Sequence, residues 1–150
     1  MINDLGDDMK MTEIVPGKLF VGGLWDATSF EQLQEHNITA ILDVASNQNQ
    51  KTYGRLYSNI RLHDGPGNMP EDFHQAVMAL ESLMNDPAEV VLLHCHAGVS
   101  RSPTICATYL ARKNKITFDE AVAMIRLKRE FVDPNPALRK MARQYLKEID

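Results

Sequence analysis

The stretch VVLLHCHAGVSRSPT, residues 90–104, decides the fold expected of this chain. It begins with an apolar run of strand length that ends at Cys95, continues through a short segment with Gly98 and Arg101, and reaches Ser102, a favoured N-cap residue. We therefore expect a buried strand, a tight loop and a helix that begins near Ser102. Such a loop directs several backbone N–H groups and the positive end of a helix dipole at one point, so the sequence predicts an anion site here.

The same loop also holds a nucleophile. Cys95 is its first residue, and the positive field of the loop favours the thiolate form of the side chain. Gly98 lets the backbone curl where a side chain would clash, and Arg101 can hold two phosphate oxygens with its planar guanidinium. A phosphate bound in the loop would lie over the sulfur. The residues expected to bind it are His96, Ala97, Gly98, Val99, Ser100 and Arg101.

Strand and helix patterns alternate along the rest of the chain. Strands are predicted for KLFVGG (residues 18–23), ITAILDV (38–44) and NIRL (59–62). Helices are predicted after the cap pairs Ser29/Gln32 and Thr117/Glu120, from Pro70 to near Asp86, and from Asn135-Pro136. We expect an α/β fold with a central, mainly parallel or mixed β-sheet and helices on both faces. In such sheets ligands bind at the carboxyl ends of strands, which is where Cys95 lies.

Composition limits the class of protein. At 150 residues with 44% hydrophobic residues, the chain fits one domain, 1–150, with residues 1–11 expected to be flexible. A net charge of -4 argues against nucleic-acid partners, and no apolar run has the length of a membrane span. Only two cysteines suggest a reducing compartment, so we expect a cytoplasmic protein, and we expect a monomer.

The pattern His-Cys-x-x-Gly-x-x-Arg-Ser resembles the signature of the cysteine-dependent protein phosphatases, and HCHAGVSRSPT is most similar to their dual-specificity branch. VPGKLFVGG, NITAILDV and DPNPALRKMARQYL are similar to that branch's opening strand, next strand and closing helix. Ala137-Leu138 departs from the pattern, since an aromatic residue is expected near that place. The resemblance implies a protein tyrosine phosphatase-like fold and a single-domain, dual-specificity phosphatase that needs no cofactor and no metal.

The resemblance also implies roles for individual residues. Cys95 attacks phosphorus and forms a cysteinyl-phosphate, while Arg101 and the loop amides hold the phosphate oxygens. A general acid usually stands on a mobile loop upstream of the cysteine, and Asp64 in HDGPGN fits that place, with Asp43 as a second candidate. Ser102 is expected to donate to the thiolate. His94 is expected to be the buried neighbour that orders the loop.

Several alternatives stay open. The substrates implied are phosphotyrosine and phosphoserine/threonine in proteins, but lipid or RNA 5′-phosphates would suit the same loop. A non-catalytic module that binds phosphoproteins is a further alternative. Cys106 reads as a packed core thiol, and the cluster Arg126, Lys128 and Arg129 as the solvated end of a helix. We expect no metal site at HCH, because adjacent residues in a strand point to opposite faces and the sequence has no second ligand cluster with zinc-like spacing.

Overall fold

The sheet is mixed, as expected. The computed structural model describes residues 10–45 and 51–149, and within these ranges five strands form one sheet in the order β1-β2-β5-β3-β4. The strands are β1 (Thr12–Val15), β2 (Leu19–Gly22), β3 (Ala40–Asp43), β4 (Leu56–Asn59) and β5 (Val91–His94). β1 is antiparallel to β2, whereas β2, β5, β3 and β4 are mutually parallel.

The helices begin largely where the sequence places their caps. They are α1 (Leu24–Ala27), α2 (Phe30–Glu35), α3 (Pro70–Asn85), α4 (Arg101–Asn114), α5 (Phe118–Arg126) and α6 (Pro136–Glu148). Thr117 and Glu120 form a reciprocal capping box, with bonds of 3.0 and 2.9 Å. The Asn135 side chain accepts the backbone N–H of Ala137 at 2.9 Å, so it caps α6.

Apolar side chains leave the sheet alternately on its two faces. Along β5, Val91 and Leu93 join the larger core, which also holds Phe73 of α3 and Ile105 of α4. Leu92 points to the other face, into a smaller core with Leu33 of α2, Phe20, Ile41 and Met11. Both faces are therefore covered by helices, which confirms the predicted architecture.

The carboxyl ends of the central strands meet beside the site. β5 lies between β2 and β3, and the register places His94 opposite Gly22 on one side and Asp43 on the other. The chain then leaves the sheet at Cys95, whose N–H donates to the carbonyl of Gly22 at 3.4 Å. The residue after β5 thus lies at the middle of the sheet edge, where the ends of parallel strands converge.

Three local predictions differ from the structure. The strand expected at 59–62 lies three residues earlier, as β4, because its mostly exposed residues pair with β3 and show no alternating apolar pattern. The strand β1 is absent from the predictions. The helix α4 begins at Arg101 with Ser100 as its N-cap, since the Ser102 hydroxyl contacts Cys95 instead of capping the helix. Residues 1–9, which are most of the start expected to be flexible, and residues 46–50 lie outside the described residues.

Candidate active site

Other parts of the chain hold the carbonyl groups of the 95–101 loop outward. The carbonyl of His96 accepts the N–H of Leu24 at 2.8 Å, and that of Val99 accepts the N–H of Asp133 at 2.8 Å. Between them, the carbonyls of Ala97 and Gly98 accept the Arg129 guanidinium at 3.3 and 2.9 Å. The loop is thus fixed by groups from both ends of the chain.

The loop amides consequently face the opposite way. In a trans peptide unit the C=O and the N–H of the next residue point in opposite directions, so each outward carbonyl turns one amide inward. None of the amides of residues 96–100 donates a hydrogen bond to another described residue. Gly98 has a φ of +71°, and a β-carbon there would collide with Gly22 at 2.8 Å and with Arg129. The amides that follow those carbonyls therefore point away from the supporting groups and keep their N–H donors unused, which suits an anion site.

Arg129 corrects the sequence-based interpretation of the basic cluster. Its side chain is only 2% exposed, although the cluster was expected to be solvated. Besides its two bonds to the loop, its Nη1 donates to the Lys10 carbonyl and to Thr12 Oγ1, each at 2.8 Å. Burial lowers the pKa of Arg129, and the nearby carboxylate of Asp26 opposes that change. The sequence offers no local signal for this role, because the partners lie some thirty residues and more away along the chain.

The Cys95 sulfur and the Ser102 hydroxyl form a buried pair. Cys95 is 2% exposed and Ser102 is fully buried, and their side-chain atoms are 3.2 Å apart. The same Ser102 oxygen lies 3.4 Å from the Gly22 carbonyl, so its single proton has two alternative acceptors. A thiolate at Cys95 is the stronger acceptor of the two, because it carries the charge.

His94 is buried directly before the loop and contacts its first residue. It is fully buried, and its Nδ1 donates to the carbonyl of Cys95 at 2.9 Å. Its Nε2 lies 3.9 Å from Asp43 Oδ1 and has no hydrogen-bond partner among the described residues. Burial lowers the pKa of His94, while the Asp43 carboxylate and the bond to Cys95 act in the opposite direction. The ring therefore stays neutral at physiological pH.

Cys95 lines a cavity of about 430 Å³, and so do all the predicted phosphate-binding residues of the loop except Gly98. The lining consists of the 95–101 loop without Gly98, of Asp64, and of the segment that leads into α6. These residues are Asp64, Cys95, His96, Ala97, Val99, Ser100, Arg101, Asp133, Pro134, Asn135, Pro136 and Arg139. Arg101 Nη1 donates to the Leu62 carbonyl at 3.2 Å, which ties it to the chain just before Asp64.

The two acid candidates lie in different surroundings. Asp64 is exposed and lines the cavity that holds Cys95. Asp43 is fully buried, accepts the Tyr57 hydroxyl at 2.7 Å and the Ala45 N–H at 2.8 Å, and is not part of the cavity lining. A general acid must reach the departing oxygen, so the geometry favours Asp64.

The second thiol, Cys106, does not line the cavity. Cys106 is fully buried in α4, and burial raises its pKa to about 12, as expected of a packed core thiol.

Across residues 10–45 and 51–149, no three His, Cys, Asp or Glu side chains cluster in a way that would hold a metal ion. No helix in the described ranges is both long and apolar enough to cross a membrane.

The chain has the protein tyrosine phosphatase-like fold that its sequence predicts, with Cys95 directly after the central strand β5. The sequence profile of one family, described as dual specificity phosphatase, catalytic domain, matches residues 19–148. Human dual specificity protein phosphatase 1 is 32% identical over 133 residues, which cover 87% of this chain and 36% of that protein. Dual specificity protein phosphatase 5 of Rattus norvegicus is 33% identical over 139 residues, which cover 91% of this chain and 36% of that protein. The chain belongs to the dual specificity phosphatase catalytic domain family.

A solved structure supports the fold independently. The crystal structure of human DUSP28 superposes with a TM-score of 0.81 at 23% sequence identity, covering 93% of this chain and 94% of that chain. The curated relatives are longer proteins, since this chain matches 36% of the length of each of the two named above.

Proposed function

We propose that residues 1–150 form a single phosphatase domain that hydrolyses phosphotyrosine and phosphoserine/threonine esters of proteins through a cysteinyl-phosphate. One observation carries the proposal: groups outside the loop bind the carbonyls of residues 96–99, which leaves the loop amides available for a phosphate next to Cys95. Membership of the dual specificity phosphatase family supports the reaction class and the protein substrates.

In the first step, the Cys95 thiolate attacks phosphorus and the bond to the ester oxygen breaks. The loop amides and the Arg101 guanidinium hold the three remaining phosphate oxygens as charge is redistributed. Asp64, on the wall of the same cavity, gives its proton to the departing oxygen. Neutral His94 keeps the Cys95 carbonyl turned away from the phosphate.

In the second step, the Asp64 carboxylate takes a proton from water, which attacks the cysteinyl-phosphate. Inorganic phosphate forms, and the sulfur leaves as a thiolate. Ser102, 3.2 Å from the sulfur, donates a hydrogen bond to that thiolate and so stabilises it as a leaving group. No step calls on a metal ion.

The test is turnover of a phosphotyrosine peptide across pH with a chelator present. Cys95→Ser is expected to abolish phosphate release. Asp64→Asn is expected to lower kcat, because the departing oxygen then receives no proton. Asp43→Asn is the matched control for the choice of acid, and it should keep most of the wild-type kcat.

Other outcomes point to other functions. A wild-type protein that binds the peptide without releasing phosphate would refute catalysis and support a phosphoprotein-binding module. Turnover of lipid or RNA 5′-phosphates with far higher kcat/KM than any phosphopeptide would refute the substrate class.

For its location we propose the cytoplasm, on the ground that both cysteines are free thiols, which suit a reducing compartment.

A further inference from the structure

The cavity that holds Cys95 has a second guanidinium on its wall. Besides Arg101, Arg139 of α6 is a lining residue, and it has no part in the reaction described above. We propose that Arg139 selects substrates by binding a second anionic group near the target phosphate. The preferred substrates are then phosphoproteins with a carboxylate or another phosphate a few residues from the one removed. This inference rests on the proposed function.

Arg139 is held in one orientation before any substrate binds. Its Nε donates to the Pro134 carbonyl at 3.0 Å, and its Nη2 lies 3.1 Å from Asp133 Oδ1. Its side chain is 21% exposed, so the stem is packed while part of the guanidinium reaches solvent. Nη1 makes no hydrogen bond to the described part of the chain and remains available. An ordered donor of this kind loses little conformational freedom on binding an anion.

The segment that holds Arg139 is itself tied to the loop that binds the target phosphate. The N–H of Asp133 donates to the Val99 carbonyl at 2.8 Å, and the N–H of Asn135 donates to Ser100 Oγ at 2.8 Å. The Asn135 amide also reaches the Asp64 carbonyl at 3.3 Å. These bonds fix the position of the segment around Arg139 relative to the 95–101 loop, which is what a selecting residue requires.

The local charge balance leaves Arg139 able to attract an anion. Asp133 Oδ1 is shared with Arg126 Nη2 at 3.4 Å, so two guanidinium groups face one carboxylate. The Asp133 side chain is 74% exposed, and its attraction for either arginine is accordingly weak. An anionic substrate group would compete with Asp133 for Arg139 without having to neutralise the whole cluster.

The span of the cavity limits where the second anion can lie. Successive residues of an extended peptide advance by ~3.5 Å. A cavity of about 430 Å³ therefore accommodates the target side chain and neighbours only a few positions away. Substrate positions one to three residues on either side of the phosphorylated one are the positions to vary.

The experiment compares three phosphotyrosine peptides that differ at one neighbouring position, which carries Ala, Glu or phosphothreonine. For wild type we expect higher kcat/KM for the two anionic peptides than for the Ala peptide, mainly through lower KM. Arg139→Gln should reduce that preference by about three- to tenfold, the range of a partly exposed charge pair. Arg139→Lys should restore part of it, and Asp133→Asn should increase it.

Arg143→Gln is the matched control. It removes the same charge from the same helix, but Arg143 pairs with Asp119 at 2.6 Å and does not line the cavity. We expect it to keep the wild-type preference, because the effect is local. Equal preference in wild type and Arg139→Gln, or an equal loss in Arg143→Gln, would overturn the proposal.

Failure of the proposed function has a different signature. If wild type hydrolyses none of the three peptides, catalysis fails, and binding of the same peptides is measured instead. Tighter binding of the anionic peptides that is lost in Arg139→Gln would still support selection. Equal binding of all three would refute it.

Discussion

At the residue scale, the chemistry depends on two buried side chains that contact different atoms of Cys95. Ser102 contacts the sulfur directly, whereas His94 contacts the carbonyl of the same residue. The serine therefore acts on the leaving thiolate, and the histidine acts on the shape of the loop. These two roles are proposals that follow from one hydrogen bond each.

The buried His94 predicts a loss of stability in mild acid. Its pKa is lowered mainly by burial, so between its folded pKa and the ordinary value of about 6.5 the unfolded chain binds one more proton than the folded chain. Stability is full above pH 6.5 and falls as pH decreases below it, by up to about 1.4 kcal/mol per pH unit. Urea unfolding at pH 7, 6 and 5 measures this loss.

His94→Asn serves as the comparison, because an amide can still donate to the Cys95 carbonyl but does not titrate. The variant should lose less unfolding free energy than wild type between pH 7 and 5, whatever its stability at pH 7. Parallel curves for the two proteins would contradict the assignment of His94 as a buried neutral ring.

Which site residues the sequence can reveal depends on how local their partners are. Cys95, Gly98 and Arg101 belong to one short stretch, so spacing alone indicates an anion site. Arg129 holds the same loop, yet its partners at Lys10 and Thr12 come from the far end of the chain. Tertiary packing buries it, and a helix-end pattern of basic residues carries no sign of that.

At the element scale, helices were easier to predict than strands. The helix α3 and the capped starts of α5 and α6 are where the sequence places them, since caps and spacing are local signals. The edge strands β1 and β4 are short and largely outside the cores, so the apolar pattern that marks β3 and β5 is missing. Their position is set by pairing with neighbours, which a single sequence does not display.

Arg129 connects the segment after α5 to the 95–101 loop. Removing its guanidinium is therefore predicted to lower stability and activity together. Arg129→Met keeps much of the side-chain volume but removes the donors to the carbonyls of Ala97, Gly98 and Lys10. Leaving such buried groups unsatisfied should lower the free energy of unfolding by about 2–4 kcal/mol. The loop amides lose their fixed direction, so kcat/KM should fall by about tenfold or more. Denaturant unfolding and peptide turnover measure the two effects.

Arg143→Met makes the same chemical change at an exposed position of α6 and should alter neither quantity by much. If Arg129→Met keeps wild-type turnover despite reduced stability, Arg129 supports the fold and does not position the loop.

At the scale of the whole molecule, the site is assembled from segments that are distant in the sequence. The end of β5 leads into the 95–101 loop, the HDGPGN segment supplies Asp64, and the start of α6 with the residues before it completes the cavity lining. Strand and helix alternation predicts the α/β class and the position of Cys95 at a strand end. The order β1-β2-β5-β3-β4 could not be derived from it, because several sheet orders satisfy the same alternation.

The covalent intermediate is the central claim of this account, and trapping it is the most direct measurement. Asp64→Asn is mixed with an aryl phosphate that carries labelled phosphorus, quenched in acid within the turnover time, and digested for peptide mapping. We predict label on the peptide with Cys95, none in a Cys95→Ser background, and undiminished label in Cys106→Ala. Continued turnover without label on Cys95, or label that survives Cys95→Ser, would contradict the mechanism.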